Sequence, residues 1–241
     1  MNDNPPLTLL IDADDTLWEN NIYFLRVIED FVQAVSGHGI ESDHARRHLN
    51  QIERRNLQRH GYGSASFAHS VREACASLVP HLHVPVLEGL VDAARAIGER
   101  ATLELLPDVE ETLVTLSRRY RCILVTKGDP EEQRRKVQIS GLEPYFTGVE
   151  VVAEKNLETY AALVAAHNLD PEKTWMIGNS PRSDINPALG AGLGAILVPH
   201  AETWEMELED VPEVGLRFRI AESFGDVPDV LAGVEQELTA R

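Results

Sequence analysis

Two acidic residues stand close together near the start of the chain, directly after a short apolar run. Residues 7–11 read Leu-Thr-Leu-Leu-Ile, and Asp12 and Asp14 follow two positions apart. A run of this kind that stops at polar residues is typical of a buried parallel strand. Carboxylates so close together repel each other unless a cation neutralises them, and Mg²⁺ favours such oxygen ligands. The pair therefore indicates a magnesium site at a strand end.

Further polar side chains follow later apolar runs in the same way. They are Thr126, Asn179 and Asp184. In an open parallel sheet, ligands bind beyond the carboxyl ends of the strands, so we expect these side chains to converge on the first loop. Asp184 and Asn179 would then share the metal with Asp12 and Asp14.

An aspartate at such a site can also act as a nucleophile and form an aspartyl-phosphate. That chemistry needs a cation, groups that hold the phosphate oxygens, and an acid or base for the leaving group and the attacking water. Mg²⁺, Thr126, Lys155 and Asp14 fill those roles. The backbone N–H of Lys127 extends the predicted phosphate site, and a solvated position is the alternative for its ammonium.

The elements that must position these residues follow from the hydrophobic pattern. Strands are predicted at 7–11, 121–126, 149–152, 174–177 and 193–198. Helices are predicted at 22–35, 42–59, 66–78, 86–97, 107–118, 129–139, 157–167 and 184–191. Strands and helices alternate only after residue 98, which predicts an α/β fold: a doubly wound parallel sheet at 1–18 and 99–241, with an inserted helical domain at 19–98.

The composition is that of an ordinary globular protein with a strongly acidic balance. The chain has 241 residues, with 22 Lys and Arg against 39 Asp and Glu, for a formal net charge of −17. This charge disfavours a nucleic acid polymer as partner, since phosphate backbones bind positive surfaces. Residues 1–6 contain no basic segment and the apolar run after them is too short to cross a membrane, so we expect a cytoplasmic protein without a membrane partner.

The motifs resemble those of a known family, the haloacid dehalogenase-like (HAD) hydrolase superfamily, in its capped phosphatase branch. The segments that carry the resemblance are Asp12-Ala13-Asp14-Asp15-Thr16-Leu17, Val125-Thr126, Lys155 and Gly178-Asn179-Ser180-Pro181-Arg182-Ser183-Asp184. The resemblance implies a Rossmann-like core with a helical cap inserted after the first motif, where residues 19–98 lie. By the same resemblance Asp12 is the nucleophile and Asp14 the general acid and base. Thr126 and Lys155 bind phosphate, and Asp184 belongs to the metal site.

Three positions depart from the family pattern. Asp15 stands where the family usually has Gly, and Asn156 replaces a Pro that often follows the motif lysine. Asn156 is interpreted as the N-cap of the next helix. Asn179 stands where Asp is commoner, and its neutral amide oxygen can still coordinate a metal or hold a metal-bound water.

The function implied is a Mg²⁺-dependent phosphomonoester hydrolase, a phosphatase that acts on a small phosphorylated metabolite through an aspartyl-phosphate. One alternative is a phosphomutase or phosphotransferase, which passes the same phosphoryl group to a second hydroxyl. Another is a metal-independent 2-haloacid dehalogenase, which Asp14 disfavours because a halide leaving group needs no proton. A receiver domain or a binding protein on the same fold is disfavoured by the length of the insertion and the intact motifs.

The predicted helical domain carries a basic cluster in this acidic chain. Its members are His44, Arg46, Arg47, His48, Arg54, Arg55, Arg59 and His60. A solvated helix face is the favoured interpretation of such a run, and contact with an anionic substrate is the alternative. Trp204, after the last predicted strand, is interpreted as a packing residue.

Overall fold

The computed structural model describes residues 7–239, and these form two compact units. An α/β unit contains residues 7–19, 103–127 and 134–239, and a helical unit contains residues 20–102 and 128–133. Residues 1–6, on which part of the predicted cytoplasmic location rests, lie outside the described residues. The domain limits 1–18, 99–241 and 19–98, and the role of the insertion as a cap, stay predictions.

The α/β unit is built on one parallel sheet. Its strands are β1 (Thr8–Ile11), β2 (Arg121–Lys127), β3 (Gly148–Val152), β4 (Thr174–Gly178), β5 (Gly194–Leu197) and β6 (Phe218–Ile220). They lie in the order β3-β2-β1-β4-β5-β6. The chain leaves β1 toward one edge and returns to the other side at β4, so the point where the winding reverses lies between β1 and β4. Ligands bind at such a point in doubly wound sheets.

The helices follow the predicted order with shifted ends. They are α1 (Asn21–Ser36), α2 (Ser42–His60), α3 (Ser64–Leu78), α4 (Val84–Gly98), α5 (Val109–Ser117), α6 (Pro130–Ser140), α7 (Leu157–His167), α8 (Asn186–Gly190) and α9 (Val227–Thr239). The Asn156 side chain accepts a hydrogen bond of 2.9 Å from the N–H of Thr159, which confirms it as the N-cap of α7. No helix within residues 7–239 has both the length and the apolar character needed to cross a bilayer.

Alternating side chains of the buried strands build two apolar layers. Leu9 and Ile11 of β1 join a cluster with residues of α5, α6 and α9 on one face of the sheet. Leu10 joins a second cluster with residues of α7 and α8 on the other. Because successive side chains of a strand point to opposite faces, a continuous apolar run is needed when both faces are covered. The doubly wound α/β class is thereby confirmed.

Two parts of this unit differ from the prediction. Where a helix is predicted at 184–191, a π-helical turn at Pro181–Ile185 precedes α8. The N–H groups of Asp184 and Ile185 both bond to the carbonyl of Ser180, at 2.9 and 3.1 Å, which widens the turn. The sequence pattern also predicts no element after residue 198, yet β6 and α9 are present there. A strand of three residues after an irregular segment carries too little periodicity to be recognised, whereas Val227, Leu231 and Val234 of α9 recur at helical spacing and were the available signal.

The helical unit has its own apolar core, formed by α1 to α4 and centred on residues such as Phe31, Leu49 and Val71. The five arginines of the basic cluster are all exposed. Arg55 pairs with Glu73, and Arg47 lies 3.9 Å from Glu41.

One acidic residue of this unit is buried, namely Glu53 on α2. Its Oε2 atom has no hydrogen-bond partner among the described residues. Burial raises the pKa of Glu53 from 4.5 to about 7. Between pH 4.5 and about pH 7 the folded state holds a proton on Glu53 that the unfolded state has released. The contribution of Glu53 to the free energy of unfolding is therefore most favourable below pH 4.5 and falls as the pH rises to about 7.

We predict that Glu53→Gln stabilises the protein in a pH-dependent way. The difference between 4.5 and about 7 corresponds to about 3 kcal/mol of unfolding free energy. The gain should approach this value at about pH 8 and shrink toward about pH 5, because protonated Glu53 is neutral like Gln. Chemical unfolding at both pH values tests this, with the exposed Glu29→Gln as matched control. An equal effect of Glu53→Gln at both pH values would contradict the prediction.

Candidate active site

The loop after β1 turns sharply and presents the first acidic residues. The N–H of Asp12 continues the pairing with β4 by donating to the carbonyl of Ile177 at 2.9 Å. The carbonyl of Ala13 then accepts from Thr16 and Leu17, which closes the turn. Asp15 within it has a φ of 59°, in the left-handed region. Glycine adopts that region most easily and Asp tolerates it better than most residues, which explains why Asp can stand where Gly is usual.

A buried ammonium lies between two carboxylates at the centre of the site. Lys155 Nζ donates to Asp12 Oδ1, and also to Asp184 Oδ1 at 2.7 Å. Burial alone would lower the pKa of Lys155, but the charges of Asp12 and Asp184 outweigh it and raise that pKa. The ammonium is therefore charged at neutral pH. The structure thus brings together the predicted nucleophile, the motif lysine and the predicted metal residue.

The Asp184 carboxyl group packs closely against the backbone of Gly178 and Ser180 at the end of β4. Its Oδ2 accepts a hydrogen bond of 3.0 Å from the N–H of Ser180. A Cβ at Gly178 would overlap the Asp184 carboxyl group, so only glycine fits at that position. Burial and the charge of Asp12 raise the pKa of Asp184 to about 7, against the opposing effects of Lys155 and the Ser180 N–H.

Asn179 joins this group through Thr16. The Thr16 hydroxyl lies 3.0 Å from Asp12 Oδ2 and 3.3 Å from Asn179 Oδ1, and it accepts from the Asn179 N–H at 3.1 Å. The Asn179 amide group donates to Thr203 Oγ1 at 3.1 Å. The amide oxygen of Asn179 lies on the same side as Asp12, because an oxygen of each residue lies within 3.3 Å of the Thr16 hydroxyl.

The Asp14 carboxylate has a different set of partners. It accepts from Trp18 Nε1 at 2.7 Å and from Lys136 Nζ at 2.9 Å through both oxygens. Lys136 is buried on α6. These contacts fix the orientation of Asp14 and add a second lysine to the site that the sequence motifs do not include.

The predicted phosphate ligands lie at the end of β2. Thr126 is buried, two residues beyond Leu124, which pairs with Ile11 of β1. The ammonium of Lys127 donates to Glu207 Oε1 at 2.6 Å and to Ser183 Oγ at 2.8 Å. Burial alone would raise the pKa of Glu207, but Lys127 and the hydrogen bonds to Glu207 outweigh it and lower that pKa. The phosphate-binding roles of Thr126 and Lys127 stay predictions.

The donor set around Lys155 fits a hard divalent cation. Asp12, Asp184 and Asn179 supply oxygen atoms only, and the two buried carboxylates exceed the single charge of Lys155. Burial is the larger cause of the raised pKa of Asp184, and the charge of Asp12 adds to it.

A second group of possible metal ligands consists of Asp15, Glu19 and His200, whose ligand atoms lie within 4.8 Å of one another. It includes none of the predicted metal ligands.

Several residues of the site escape sequence reasoning. They are Thr16, Lys136, Ser180, Ser183, Thr203 and Glu207. Thr16, Ser180 and Ser183 stand inside the quoted motifs, and their hydroxyl groups were the available signal. Glu207 lies in an isolated turn at Glu205–Glu207 and carries no such signal.

The sheet, the helical insertion and the four strand-end groups define a hydrolase of a known class. The chain belongs to the haloacid dehalogenase-like hydrolase family, whose family model matches residues 7–192. This confirms the resemblance of its motifs.

Particular relatives are similar over different lengths. The glyceraldehyde 3-phosphate phosphatase of Methanothermobacter thermautotrophicus is 30% identical over 137 residues, covering 54% of this chain and 60% of that protein. A solved haloacid dehalogenase-like family hydrolase from Xanthomonas campestris is 30% identical with a TM-score of 0.84, over 98% of this chain and 95% of that chain. The L-2-haloacid dehalogenase of Xanthobacter autotrophicus shares the fold at 18% identity, with a TM-score of 0.60 over 95% of this chain and 99% of that one.

We predict that Lys155→Met destabilises the metal-free protein. Loss of the ammonium leaves two buried carboxylates without their shared partner, which should lower the free energy of unfolding by about 3 kcal/mol. Mg²⁺ should restore part of this loss, because a bound cation stabilises the folded state. Chemical unfolding in EDTA and in Mg²⁺ tests the prediction, with Lys173→Met on a less buried turn as control. An unchanged stability in EDTA would contradict it.

Replacements of Asp15 should follow the order set by its backbone. At a φ of 59°, Asp15→Gly should be more stable than Asp15→Ala by about 1 kcal/mol, since an alanine Cβ is strained there. Within helix α2 the order reverses because alanine favours a helix more than glycine does. The free energy of unfolding of Asp43→Ala should therefore be higher than that of Asp43→Gly. Free energies of unfolding of these four variants test the prediction. The same order at both positions would count against it.

Proposed function

We propose that the chain is a Mg²⁺-dependent phosphomonoester hydrolase that acts on a small phosphorylated metabolite through an aspartyl-phosphate on Asp12. The observation that carries the proposal is the contact of Lys155 with both Asp12 and Asp184 in a buried group of oxygen donors. A nucleophilic carboxylate must approach an anionic phosphate, and positive charge beside it reduces their repulsion. Family membership and the phosphatase relative support the same function.

In the first step a carboxylate oxygen of Asp12 attacks the phosphorus atom. The new P–O bond forms as the bond to the ester oxygen breaks. The leaving alkoxide takes a proton from Asp14, which enters this step as the carboxylic acid and leaves it ionised. Lys155 and Thr126 hold the phosphoryl oxygens during transfer. Trp18 and Lys136 orient Asp14 for this proton transfer, since both contact its carboxylate.

In the second step water attacks the phosphorus atom of the aspartyl-phosphate. Asp14, now ionised, takes a proton from this water, and the P–O bond to Asp12 breaks. Inorganic phosphate leaves and both aspartates return to their starting forms. The same general acid and base therefore serves both halves of the reaction.

Asp12, Asp14, Asp184 and Asn179 are the residues proposed to hold Mg²⁺. When bound, the cation neutralises the charge on the transferring phosphoryl group. The amide oxygen of Asn179 replaces one carboxylate, and Thr203 fixes its direction through the amide nitrogen.

The proposed substrate is a small metabolite, and the proposed location is the cytoplasm. The formal charge of −17 disfavours a nucleic acid polymer as substrate. Because glyceraldehyde 3-phosphate is the substrate named for one relative, it is the first compound to test in a panel of phosphorylated metabolites.

We expect the purified protein to hydrolyse p-nitrophenyl phosphate in Mg²⁺ and to lose this activity in EDTA. Asp12→Asn should lower kcat by a factor of about 10³ or more, because the amide is not a nucleophile for this step. Release of p-nitrophenol measures the rate. Asp229→Asn, an exposed aspartate on α9, makes the same chemical change away from the site and should keep wild-type activity.

The outcomes separate the alternatives. Equal rates for wild type and Asp12→Asn would exclude the aspartyl-phosphate route. Absence of turnover on both the aryl phosphate and the metabolite panel, together with halide release from a 2-haloacid in EDTA, would favour the dehalogenase alternative. Transfer of the phosphoryl group to an added sugar in place of water would favour the phosphotransferase alternative.

A further inference from the structure

A buried carboxylate from the irregular segment after β5 contacts the loop that carries Asp184. Glu207 is buried in the turn at Glu205–Glu207, with 11% of its side chain exposed. Its Oε2 accepts from Ser180 Oγ at 2.6 Å and from Ser183 Oγ. Its Oε1 accepts from Lys127 Nζ at 2.6 Å. This carboxylate therefore receives hydrogen bonds from the end of β2 and from the loop after β4.

The two serines are the residues that shape the pocket of Asp184. The N–H of Ser180 donates to Asp184 Oδ2 at 3.0 Å. Ser180 Oγ also accepts from the N–H of Ser183 at 2.8 Å, which ties the two ends of the turn together. Glu207 thus fixes the hydroxyl group of Ser180, whose N–H positions the Asp184 carboxylate, and that of Ser183, which precedes Asp184 in the chain.

Lys127 completes the arrangement from the end of β2. Its ammonium donates to Ser183 Oγ at 2.8 Å as well as to Glu207, and only 12% of its side chain is exposed. A carboxylate buried at this depth needs a charge partner and full hydrogen bonding. The pair therefore links the end of β2, which carries Thr126, to the loop after β4, which carries Asp184.

We propose that Glu207 is a positioning residue for the metal site: through Ser180 and Ser183 it holds Asp184 in the orientation that binds Mg²⁺. This inference rests on the proposed function. Glu207 touches neither substrate nor metal in this role and acts only through the two serines. Groups that orient metal ligands change metal affinity or activity by about 10- to 100-fold when removed.

The test is Glu207→Gln, which keeps the size of the side chain and removes its charge. Isothermal titration calorimetry with Mg²⁺ alone should give a Kd at least about tenfold higher than for wild type. With p-nitrophenyl phosphate, the Mg²⁺ concentration for half-maximal activity should rise by a similar factor. The KM for the aryl phosphate at saturating Mg²⁺ should stay unchanged, and high Mg²⁺ should recover most of kcat.

The matched control is Glu209→Gln, on the same segment. Glu209 is half-exposed and contacts the side chains of Asn186, at 3.2 Å to Nδ2, and of Arg182, at 3.9 Å to Nε, in place of the two serine hydroxyl groups. It should keep the wild-type Kd for Mg²⁺. The double variant Lys127→Met, Glu207→Gln removes both buried charges, so it should fold even where Glu207→Gln leaves the Lys127 ammonium with the more exposed Glu154, at 3.4 Å, in place of its buried partner. It should bind Mg²⁺ as weakly as Glu207→Gln does.

The results distinguish this inference from the proposed function. Suppose that the wild type binds Mg²⁺ and hydrolyses the aryl phosphate. A folded Glu207→Gln variant with the same Kd for Mg²⁺, and the same Mg²⁺ concentration for half-maximal activity, would then overturn the role of Glu207 alone. If Glu207→Gln does not fold, an unchanged Kd in the double variant would overturn it. Absence of both Mg²⁺ binding and phosphate ester hydrolysis in wild type would overturn the two proposals together.

Discussion

The buried contact of Lys155 with Asp12 and Asp184 is the constraint on which the site depends. One ammonium holds two carboxylates from neighbouring strand ends, and it offsets much of the free-energy cost of burying them. The sheet order makes the contact possible, because β1 and β4 are adjacent although the helical unit and strands β2 and β3 lie between them in sequence. The single positive charge also leaves an excess of negative charge, which suits a divalent cation.

Two more lysines with little exposed surface contact carboxylates around the site. Lys136 contacts Asp14, and Lys127 contacts Glu207, so three lysines with little exposed surface each face an acidic partner in the α/β unit. Each pair fixes a different part of the proposed chemistry: the nucleophile, the proton donor and the metal loop. A buried ion pair contributes little net stability compared with apolar packing, but it sets the directions of its groups. These three ion pairs therefore orient the side chains of the site more than they stabilise the fold.

Those parts of the molecule that follow local rules can be predicted from the sequence. The apolar runs predict β1, β2 and β4, and their ends locate Asp12, Thr126 and Asp184. Lys155 is found through the family motifs. Glu207 is not found, because its partner Lys127 lies 80 residues away and the turn that carries it has no periodic pattern. Such contacts depend on how loops meet in space, and no local spacing encodes that.

The sequence separation of Asp12 from Lys155 affects the order in which parts of the protein can fold during synthesis on the ribosome. The two residues are 143 positions apart, a distance that takes about 7 to 30 s to synthesise at typical rates. During that time the nucleophile has no ammonium partner and β1 has no neighbour on its β4 side. The helical unit between them consists mainly of residues 20–102, whose contacts are close along the chain. The helical unit can therefore fold before β4, β5 and β6, which complete the sheet beside β1, have been synthesised.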